Sequence, residues 1–546
     1  MNRPNILWIS FEDTSPRFGC YGDKIARTPN VDRLAAEGCR FPNAFCTAGV
    51  CAPSRAAIIT GMYQTFIGAQ HMRTQHTMPH TQNPVTPYAT VPPPYVKCFT
   101  EYLRAAGYYC TNNGKTDYQF DNGWMRAPFT AWDVQRELPH DQPDLLAIHW
   151  RNRPRKDQPF FAVFNLMRTH ESQQWPKPGE SLQTDPAAVT VPPYLPDTLE
   201  VRKAIARQYD NIACNDTQVG VLLQQLEEDG LAGNTIVFVW SDHGEGLPRS
   251  KRWPYDTGIR IPLIVRWPSQ LKPGSVDERL VSLIDLGPTV LSLCGVPRPY
   301  HLQGQPFLGP DAVPREYVFA TRDRYDESYD LVRAVRDRRY KYIRHYYPQL
   351  EYSMWVPYRN RHPAMQELWR LHAEGKLNET QQFLMQTHRP PEELYDTATD
   401  PWELHNLAGD PAHRATLDRL RAALDDWQTK CDPYRDIPET EMVERMWPGR
   451  KQPTTDMPSF VALGPGQPGV ELINEGGTLR DPVLLQLTCA TQGASIGYTL
   501  QPGKDVRWEL YAGPFRLPPG THTLRAKAIR YGYKESAERA ATFVVT

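Results

Sequence analysis

The chain has 546 residues and a formal net charge of −1 at pH 7, and its 40% hydrophobic content fits a soluble globular protein. This length allows roughly two to four domains and one large core. The near-neutral charge argues against a nucleic-acid partner and against binding to an anionic membrane surface. No apolar run reaches the roughly eighteen residues of a membrane-spanning helix, so no such helix is expected.

The first residues, "MNRPNILWISFEDTS", lack the basic region, the long apolar region and the small-residue cleavage site of a signal peptide. We therefore expect either a cytoplasmic protein or an exported protein whose leader has been removed. Ten cysteines are spread from Cys20 to Cys489 without the close spacing typical of zinc sites or small disulfide frameworks. Their pairing is left open, and so is the oligomeric state.

Residues 1–330 alternate between short apolar runs and helical patterns. The segments "NILWIS", "PFFAVFNLM" and "NTIVFVWSDHGE" predict buried strands, whereas "TPNVDRLAAEG" and the long stretch that ends in "VLLQQLEEDGL" predict helices. Repeated strand–helix–strand units predict an α/β fold with a large, mostly parallel sheet between layers of helices. In such sheets ligands bind at the carboxyl ends of the strands.

The pattern changes after residue 330. Short strands in "LVRAVRDRRYKYIRHYY" and a helix in "DRLRAALDDWQTKC" predict a smaller α+β subdomain over residues 331–455. The Pro- and Gly-rich stretch at 456–474 predicts a linker. Residues 475–546 show short alternating strands and Gly/Pro turns, which predict a small β-sandwich.

Acidic and metal-ligating side chains follow two of the predicted strands. Glu12 and Asp13 end "ILWISFED", and Asp242 and His243 end "TIVFVWSDH". Carboxylates at the ends of buried parallel strands share one crevice, where they repel one another unless a cation neutralises them. Oxygen ligands favour Ca²⁺, Mg²⁺ or Mn²⁺. The alternative is that these acids only cap the helices that follow.

The segment "CAPSR" carries the most specific signal. It begins at Cys51, in a Gly- and Thr-rich turn before an apolar segment. The chain resembles the formylglycine-dependent sulfatases of the alkaline-phosphatase superfamily over roughly residues 4–430. The landmarks occur in the family order: "PNILWISFED", "TPNVDRLAAEG", "CAPSRAAIITG", "GYYCTNNGK", "PFFAVFNLMRTH", "VWSDHGE", "TGIRIPLIVRWP" and "EELYDTATDPWELHNLAGDP".

The resemblance implies that a maturation enzyme oxidises Cys51 to formylglycine. One hydroxyl of the aldehyde hydrate attacks sulfur, and the other then expels sulfate. Arg55 would stabilise the hydrate, and Pro53 and Ser54 would serve the modifying enzyme and the turn. The alternative for Cys51 is an inert buried thiol.

The resemblance also implies one divalent metal, for which Ca²⁺ is favoured over Mg²⁺ or Mn²⁺. Its ligands would be Glu12, Asp13, Asp242, His243 and the residue-51 hydroxyl, and the metal would lower the pKa of that hydroxyl.

Three further residues occupy family positions around the sulfate. Lys115 and Lys251 would contact the sulfate oxygens, and His170 would act as the general acid that protonates the leaving oxygen or nitrogen. The alternatives are solvated surface lysines and a capping or packed histidine.

Two positions depart from the family pattern. The first acidic pair is Glu12–Asp13, where the family usually has two aspartates. Asp117 stands where many members have a histidine that acts as a base on the formylglycine hydroxyl. Asp117 would take that role as a carboxylate, or His71 or His76 would supply an imidazole. Alternatively, Asp117 is only a loop residue.

The segments "GAQHMRTQH" and "RDRYDESYDLVRAVRDRRYKYIRHY" look most like the heparan N-sulfatase branch and its bacterial relatives, which implies a sulfated sugar with N- or O-linked sulfate. The candidate substrate contacts are His71 and the charged residues Arg322, Asp323, Arg324 and Asp326. The alternative for the charged run is a solvated loop. The C-terminal segment is similar to the small sandwich at the end of chitobiase-type hexosaminidases, which only associates the chain with carbohydrates.

Two other functions are left open by the sequence. A phosphonate monoester or phosphodiester hydrolase of the same superfamily would keep the aldehyde and the metal site. A catalytically inactive glycan-binding protein would keep the scaffold but not the chemistry.

Overall fold

The computed structural model describes residues 3–75, 86–120, 123, 125–136, 149–480 and 483–546. Over these residues, none of the helices has both the length and the apolar character needed to cross a bilayer.

The centre of the molecule is an eight-stranded sheet. Its strands, in spatial order, are Ser275–Val276, Cys39–Arg40, Leu263–Arg266, Thr235–Ser241, Asn5–Phe11, Phe160–Leu166, Tyr109–Asn113 and Val134–Arg136. The last five of these run parallel, and Leu263–Arg266 joins them antiparallel. A three-stranded sheet beside it comprises Val281–Ser282, Ala44–Phe45 and Arg260–Ile261.

Helices cover both faces of the central sheet. Alternate residues of Asn5–Phe11 belong to two different apolar cores, with Trp8 in one and Ile9 in the other. A strand that is buried on both faces must be apolar throughout, as "NILWISF" largely is. The α-helices are Pro29–Glu37, Cys51–Thr60, Phe99–Ala105, Leu199–Glu228, Asp256–Ile259, Leu286–Leu293, Pro357–Asn360, Pro363–Ala373, Glu379–Gln382, Arg414–Cys431 and Glu439–Met446. The predicted α/β fold with a large, mostly parallel sheet is confirmed.

A four-stranded antiparallel sheet follows. It comprises Val318–Arg322, Val332–Arg336, Tyr340–His345 and Glu392–Asp396. The helix Arg414–Cys431 packs on it through Leu417, Leu420 and Leu424. The boundary expected at residue 330 needs correction, because it separates Val318–Arg322 from the strand that pairs with it.

The C-terminal residues form two small sheets around one apolar core. The strands are Gln467–Leu472, Ser459–Gly464 and Leu484–Thr488 in one sheet, and Gly476–Leu479, Arg539–Val545, Gly520–Ile529, Ser495–Thr499 and Glu509–Leu510 in the other. The linker expected at 456–474 is therefore corrected to a strand hairpin. Its apolar residues Phe460 and Ala462 are buried in that core, and its Pro and Gly residues lie at the turn and on the outer strand.

The C-terminal sheets contact the helix Phe99–Ala105 of the large α/β unit through a buried polar cluster. Glu101 accepts hydrogen bonds from Tyr531 Oη at 2.7 Å and from Ser495 Oγ at 2.8 Å. The Tyr531 ring stacks on Phe120 with centroids 5.0 Å apart. Because Phe120 lies five residues after Lys115, outside any helix or strand, the C-terminal unit contacts the segment that carries Lys115.

Candidate functional site

The candidate site lies at the carboxyl edge of the central sheet. Phe11 pairs in register with Leu166 on one side and with Ser241 on the other, so three strands end together. The residues that follow two of these strands are Glu12, Asp13, Asp242 and His243, and all four are fully buried. The structure thus brings the predicted acidic residues into one crevice.

Cys51 enters this crevice from the first turn of a helix. The helix Cys51–Thr60 begins at Cys51, after an extended Val50. The Cys51 Sγ lies 3.2 Å from His243 Nε2 and 3.8 Å from Glu12 Oε2. Free backbone N–H groups at a helix start favour a nearby anion, so the position suits both a thiol-derived nucleophile and a bound oxyanion.

The side chains around Cys51 have the donor set of a divalent cation site. Their ligand atoms form two sets, each within 4.8 Å of one another: Glu12, Asp13, Cys51 and His170 in one, and Cys51, Asp242 and His243 in the other. Asp13 Oδ1 is buried without a hydrogen-bond partner among the described residues. His243 Nδ1 lies 2.9 Å from the Gly244 carbonyl oxygen, so Nδ1 donates and Nε2 is left as a ligand. These residues fit a hard cation with one imidazole ligand.

The electrostatics of this cluster agree with a cation site. Burial raises the pKa of Asp242, and the neighbouring Glu12 raises it further. Burial works to lower the pKa of His243, but Asp242 and Cys51 outweigh it and raise that pKa to about 9. The buried acids therefore attract positive charge, which a metal would supply.

Arg55 and Asn165 hold the acidic residues in place. Arg55 Nε donates to Asp242 Oδ2 at 3.0 Å, its Nη1 donates to Asn165 Oδ1 at 3.0 Å, and its Nη2 donates to Glu12. Asn165 Nδ2 donates to the Lys115 carbonyl at 3.1 Å. Asn165 thus connects the Arg55 guanidinium to the loop that carries Lys115.

Both predicted lysines reach the crevice and are buried. Lys115 Nζ lies 3.0 Å from Glu12 Oε2, and Lys251 Nζ lies 2.6 Å from Asp13 Oδ2. Burial works to lower both lysine pKa values, but Cys51 and the neighbouring carboxylates outweigh it and raise them. Both ammonium groups are therefore charged and lie close enough to Cys51 to interact with it electrostatically.

His170 also lies in the crevice, within 4.8 Å of Cys51 Sγ by its nearer ring nitrogen. Its Nδ1 accepts the Ser172 backbone N–H at 3.4 Å, which leaves Nε2 to carry the proton. Burial lowers the pKa of His170 to about 3, and Lys251 adds to that effect. Without an anion bound, the imidazole is neutral and acts as an N–H donor.

Asp117 lies at the edge of the crevice in a left-handed conformation, with φ 57°. Its Oδ2 is 3.5 Å from Lys115 Nζ. The acid thus lies beside Lys115. His76, considered as a substitute base, falls outside the described residues.

Arg73 was not predicted from the sequence. Its Nε lies 3.7 Å from Asp326 Oδ1. Burial works to lower the pKa of Arg73, but Asp117, Asp326 and Cys51 outweigh it and raise that pKa. The structure therefore connects Asp326, a predicted substrate contact, to the catalytic crevice. Asp13, Arg73, Asp117, Arg252 and Asp326 all have positive φ, and such strained backbone is concentrated at functional sites. A lone arginine in "HMRTQH" carries no sequence signal that would have singled it out.

Glu171 and Arg252 were also missed. Glu171 accepts from both Arg252 Nη groups at 2.7 and 2.8 Å, and its Oε1 lies 3.1 Å from Lys251 Nζ. Its backbone N–H donates to Asp13 Oδ2 at 2.7 Å. Glu171 therefore orients Lys251 and Asp13 together. In the sequence, only the position of Glu171 next to His170 indicated that it belongs to the site.

The remaining predicted substrate contacts lie in internal ion pairs. Arg322 Nε is 2.7 Å from Asp330 Oδ2, with its guanidinium over the Trp253 ring. Arg333 donates to Asp323 at 2.9 and 3.1 Å. Arg324 donates to both oxygens of Glu439 at 2.7 Å. The structure does not bring these charges into the crevice.

His71 is buried as well. Its Nδ1 accepts the Arg324 backbone N–H at 3.3 Å, and its ring packs 5.6 Å from that of Tyr329. Burial lowers the pKa of His71 to about 4.

We predict that Asp323→Ala destabilises the protein by about 2 kcal/mol, because it removes two hydrogen-bond acceptors from the buried Arg333 guanidinium, and leaves KM unchanged. Chemical denaturation and steady-state kinetics measure the two quantities. A several-fold rise in KM with an unchanged free energy of unfolding would contradict the internal role.

An aromatic wall lies beside His170. The Tyr358 ring is 6.4 Å from the His170 ring and 5.1 Å from Trp175. Both aromatic side chains are half-buried. The wall gives the crevice an apolar surface next to its group of charges.

Comparison with known proteins places this geometry in a family. The family model described as "Sulfatase" matches residues 4–296, and the model described as "N-sulphoglucosamine sulphohydrolase, C-terminal" matches residues 244–390. An ulvan-active sulfatase of Formosa agariphila is 42% identical, with 98% of this chain and 90% of the relative covered. The N-sulphoglucosamine sulphohydrolase of Homo sapiens is 29% identical, over 81% of this chain and 94% of the relative.

A solved structure of a 2-O GAG sulfatase has the same fold, with a TM-score of 0.58 and 22% identity over 80% of this chain and 94% of the other. The family match spans more than half of the chain, and the ulvan-active relative covers nearly all of it. The chain belongs to the sulfatase family, whose members hydrolyse sulfuric esters and sulfamates.

Proposed function

We propose that this sulfatase removes sulfate from a sulfated carbohydrate, with formylglycine formed from Cys51 as its nucleophile. The observation that carries the proposal is the convergence on Cys51 of a metal-type donor cluster, Lys115, Lys251 and His170. A formylglycine-generating maturation enzyme is the partner that this chemistry requires.

The proposed metal ligands are Glu12, Asp13, Asp242, His243 and residue 51, and Ca²⁺ is favoured because most of the donors are oxygens. A bound divalent ion would lower the pKa of the nucleophilic hydroxyl and polarise the sulfate.

The two lysines form the proposed anion pocket. The Lys115 and Lys251 ammonium groups are charged, buried and held by carboxylates, so they are oriented before substrate binds. Such preorganised charges stabilise the negative charge that develops during sulfuryl transfer. Arg55 keeps Glu12 and Asp242 apart in fixed positions and holds the crevice geometry.

His170 and Asp117 are the proposed proton-transfer groups. The His170 Nε2–H donates to the leaving oxygen or nitrogen, and a bound sulfate raises the pKa of the imidazole because it adds negative charge beside it. Asp117 takes the place of the family histidine as a carboxylate base, beside the Lys115 ammonium group.

The carbohydrate is inferred from the aromatic wall and the relatives. A sugar ring offers a C–H face that packs on Tyr358 and Trp175, next to the His170 that serves the leaving group. The two relatives are named for ulvan, a carbohydrate, and for an N-sulfated sugar. We propose a sulfated sugar unit, with either O- or N-linked sulfate.

We propose three structural units for this function: a catalytic unit that ends near residue 317, an α+β unit with the antiparallel sheet and its helix, and the β-sheet unit from about residue 456 onward. This assignment follows the sheet boundaries given above.

Hydrolysis of four substrates tests the function: sulfate release from sulfated ulvan oligosaccharides, N-sulfoglucosamine and an aryl sulfate, and phenol release from an aryl phosphonate monoester. We expect turnover of the aryl sulfate and of at least one sulfated sugar at a kcat/KM at least tenfold above that of the phosphonate. Preferential hydrolysis of the phosphonate would instead support the phosphonate monoester hydrolase alternative. Inactivity of aldehyde-containing protein on all four would support a glycan-binding protein.

A further inference from the structure

A turn of the C-terminal β-sheet unit inserts into the catalytic unit. It follows the strand Gly520–Ile529 and carries Tyr531, which is 1% exposed. This tyrosine belongs to the apolar core on the Trp8 face of the central sheet and not to the core of its own unit. Its hydroxyl donates to Glu101 at 2.7 Å and accepts the Cys98 backbone N–H at 3.2 Å. The tyrosine is therefore fixed within the catalytic unit.

The same turn reaches a segment beside the catalytic crevice in two places. The Tyr531 ring stacks parallel on Phe120, with centroids 5.0 Å apart. Gly532, with φ 83°, lies so close to Thr90 that a side chain at position 532 would collide with the Thr90 carbonyl oxygen. The Thr90 backbone N–H in turn donates to the Gln119 carbonyl at 2.8 Å. The turn therefore supports Phe120 directly and Gln119 through Thr90.

The supported segment, residues 115–120, has a backbone conformation that side chains disfavour. It contains neither helix nor strand, and Asp117 and Gln119 have φ of 57° and 67°. Left-handed backbone is unfavourable for residues other than glycine, so it persists only where surrounding contacts enforce it. The segment begins with Lys115, whose Nζ lies 3.0 Å from Glu12 Oε2. Loss of the supporting contacts would let the segment relax and would displace the Lys115 ammonium group.

The catalytic unit supports the same segment by hydrogen bonds. The Gln119 side-chain amide donates to the His71 carbonyl, and its Oε1 accepts the Thr74 hydroxyl at 3.1 Å. These bonds fix the Gln119 side chain, whereas the Phe120 ring obtains its parallel stacking partner from Tyr531. The C-terminal unit thus supplies an apolar support that the hydrogen bonds do not replace.

We propose that Tyr531 is a positioning residue for sulfate hydrolysis, which keeps the Lys115 ammonium group in the anion pocket through the stacked Phe120. The C-terminal β-sheet unit then contributes to catalysis. The inference rests on the proposed anion-binding role of Lys115. A displaced ammonium group would stabilise the charge of the transition state less well, so the effect falls on kcat/KM.

The test is a double-mutant cycle on the full chain, with an aryl sulfate as substrate and with variants matched for the aldehyde fraction at residue 51. We expect Tyr531→Leu to lower kcat/KM roughly tenfold, because a small displacement of a group that contacts the reacting atoms has an effect of this size. In Lys115→Ala, the added Tyr531→Leu should lower kcat/KM by no more than about twofold, since the group that it positions is already absent. In Lys251→Ala, the same addition should again lower kcat/KM roughly tenfold, because different contacts hold the two lysines.

Two control variants separate positioning from general stability. Tyr531→Phe keeps the ring and loses the hydroxyl that donates to Glu101, so it should lower the unfolding temperature and retain kcat/KM. Tyr498→Leu removes a ring that stacks on Phe515 at 4.4 Å within the C-terminal unit, and it should also retain kcat/KM. If Tyr531→Leu does not fold, Phe120→Leu removes the same stacked pair and takes its place in the cycle.

Wild-type kcat/KM in folded Tyr531→Leu would overturn the proposal. So would losses that multiply in the Lys115→Ala background, because Tyr531 would then act on another group. An equal loss in Tyr498→Leu would also contradict it, since the effect would then come from general loosening of the C-terminal unit. Full activity of Lys115→Ala alone would instead refute the anion-binding role of Lys115 and, with it, this inference.

Discussion

Replacement of Cys51 by alanine will abolish sulfate release, with a loss in kcat of roughly 10⁴-fold or more, because it removes the proposed precursor of the nucleophile. The fold should persist. Cys51 is the first residue of the helix Cys51–Thr60, where alanine keeps the helical conformation and the lost thiol costs about 1 kcal/mol. Sulfate release and thermal unfolding measure the two effects.

Cys46→Ala is the matched control for that variant. Cys46 is also buried, and burial together with Asp242 raises the pKa of its thiol. We expect Cys46→Ala to retain full turnover. If Cys51→Ala retained turnover while it unfolded at the wild-type temperature, the nucleophile assignment would be wrong.

The second large effect is expected for Asp242→Asn, which should lower metal content and kcat together. Asp242 lies in the cluster with Cys51 and His243, and Arg55 holds its carboxylate. Loss of a direct ligand should lower kcat by more than the roughly 10- to 100-fold typical of outer hydrogen-bonding partners. Elemental analysis of the purified protein and steady-state kinetics check this.

Asp117→Asn separates the loss of metal from the loss of a base. Asp117 lies beside Lys115 but outside the two ligand sets, so this variant should keep its metal and lose kcat. Metal-free Asp242→Asn should unfold no earlier than the metal-free parent. The reason is that burial and Glu12 raise the Asp242 pKa, so the folded protein resists that charge. Wild-type metal content in Asp242→Asn would contradict the ligand assignment.

The sequence predicted the parts of the site that strand ends and short motifs determine. Glu12 and His243 follow apolar runs, and parallel strands bring such residues to one edge of a sheet. The helix start at Cys51 was equally predictable, since "CAPSRAAIITG" follows an extended turn. These predictions needed only local patterns and one topological rule.

Partners that are distant in sequence could not be predicted in the same way. Arg73 and Glu171 reach the crevice only because their loops fold back against Asp326 and Lys251. Conversely, charge alone cannot show whether a residue faces a ligand or an internal partner. Asp323 was expected to contact substrate, yet it pairs with Arg333, a residue ten positions further along the chain.

The C-terminal region shows a second reason why part of the structure could not be predicted from the sequence. Pro and Gly residues in "MPSFVALGPGQPGVEL" indicate a break in regular structure, but here they mark a turn and an outer strand. The strand Ser459–Gly464 pairs with Leu484–Thr488, although two other strands lie between them in the sequence. Pairing between segments that are distant in sequence cannot be predicted from local composition.

The central claim is that activity depends on the conversion of Cys51 to formylglycine. Mass spectrometry of the peptide that contains residue 51 measures the aldehyde fraction in preparations matured to different extents, with metal supplied in excess. We predict that sulfate release per molecule rises in proportion to the aldehyde fraction and vanishes when residue 51 is entirely a thiol. Full turnover from a preparation whose residue 51 is an unmodified cysteine would contradict this account.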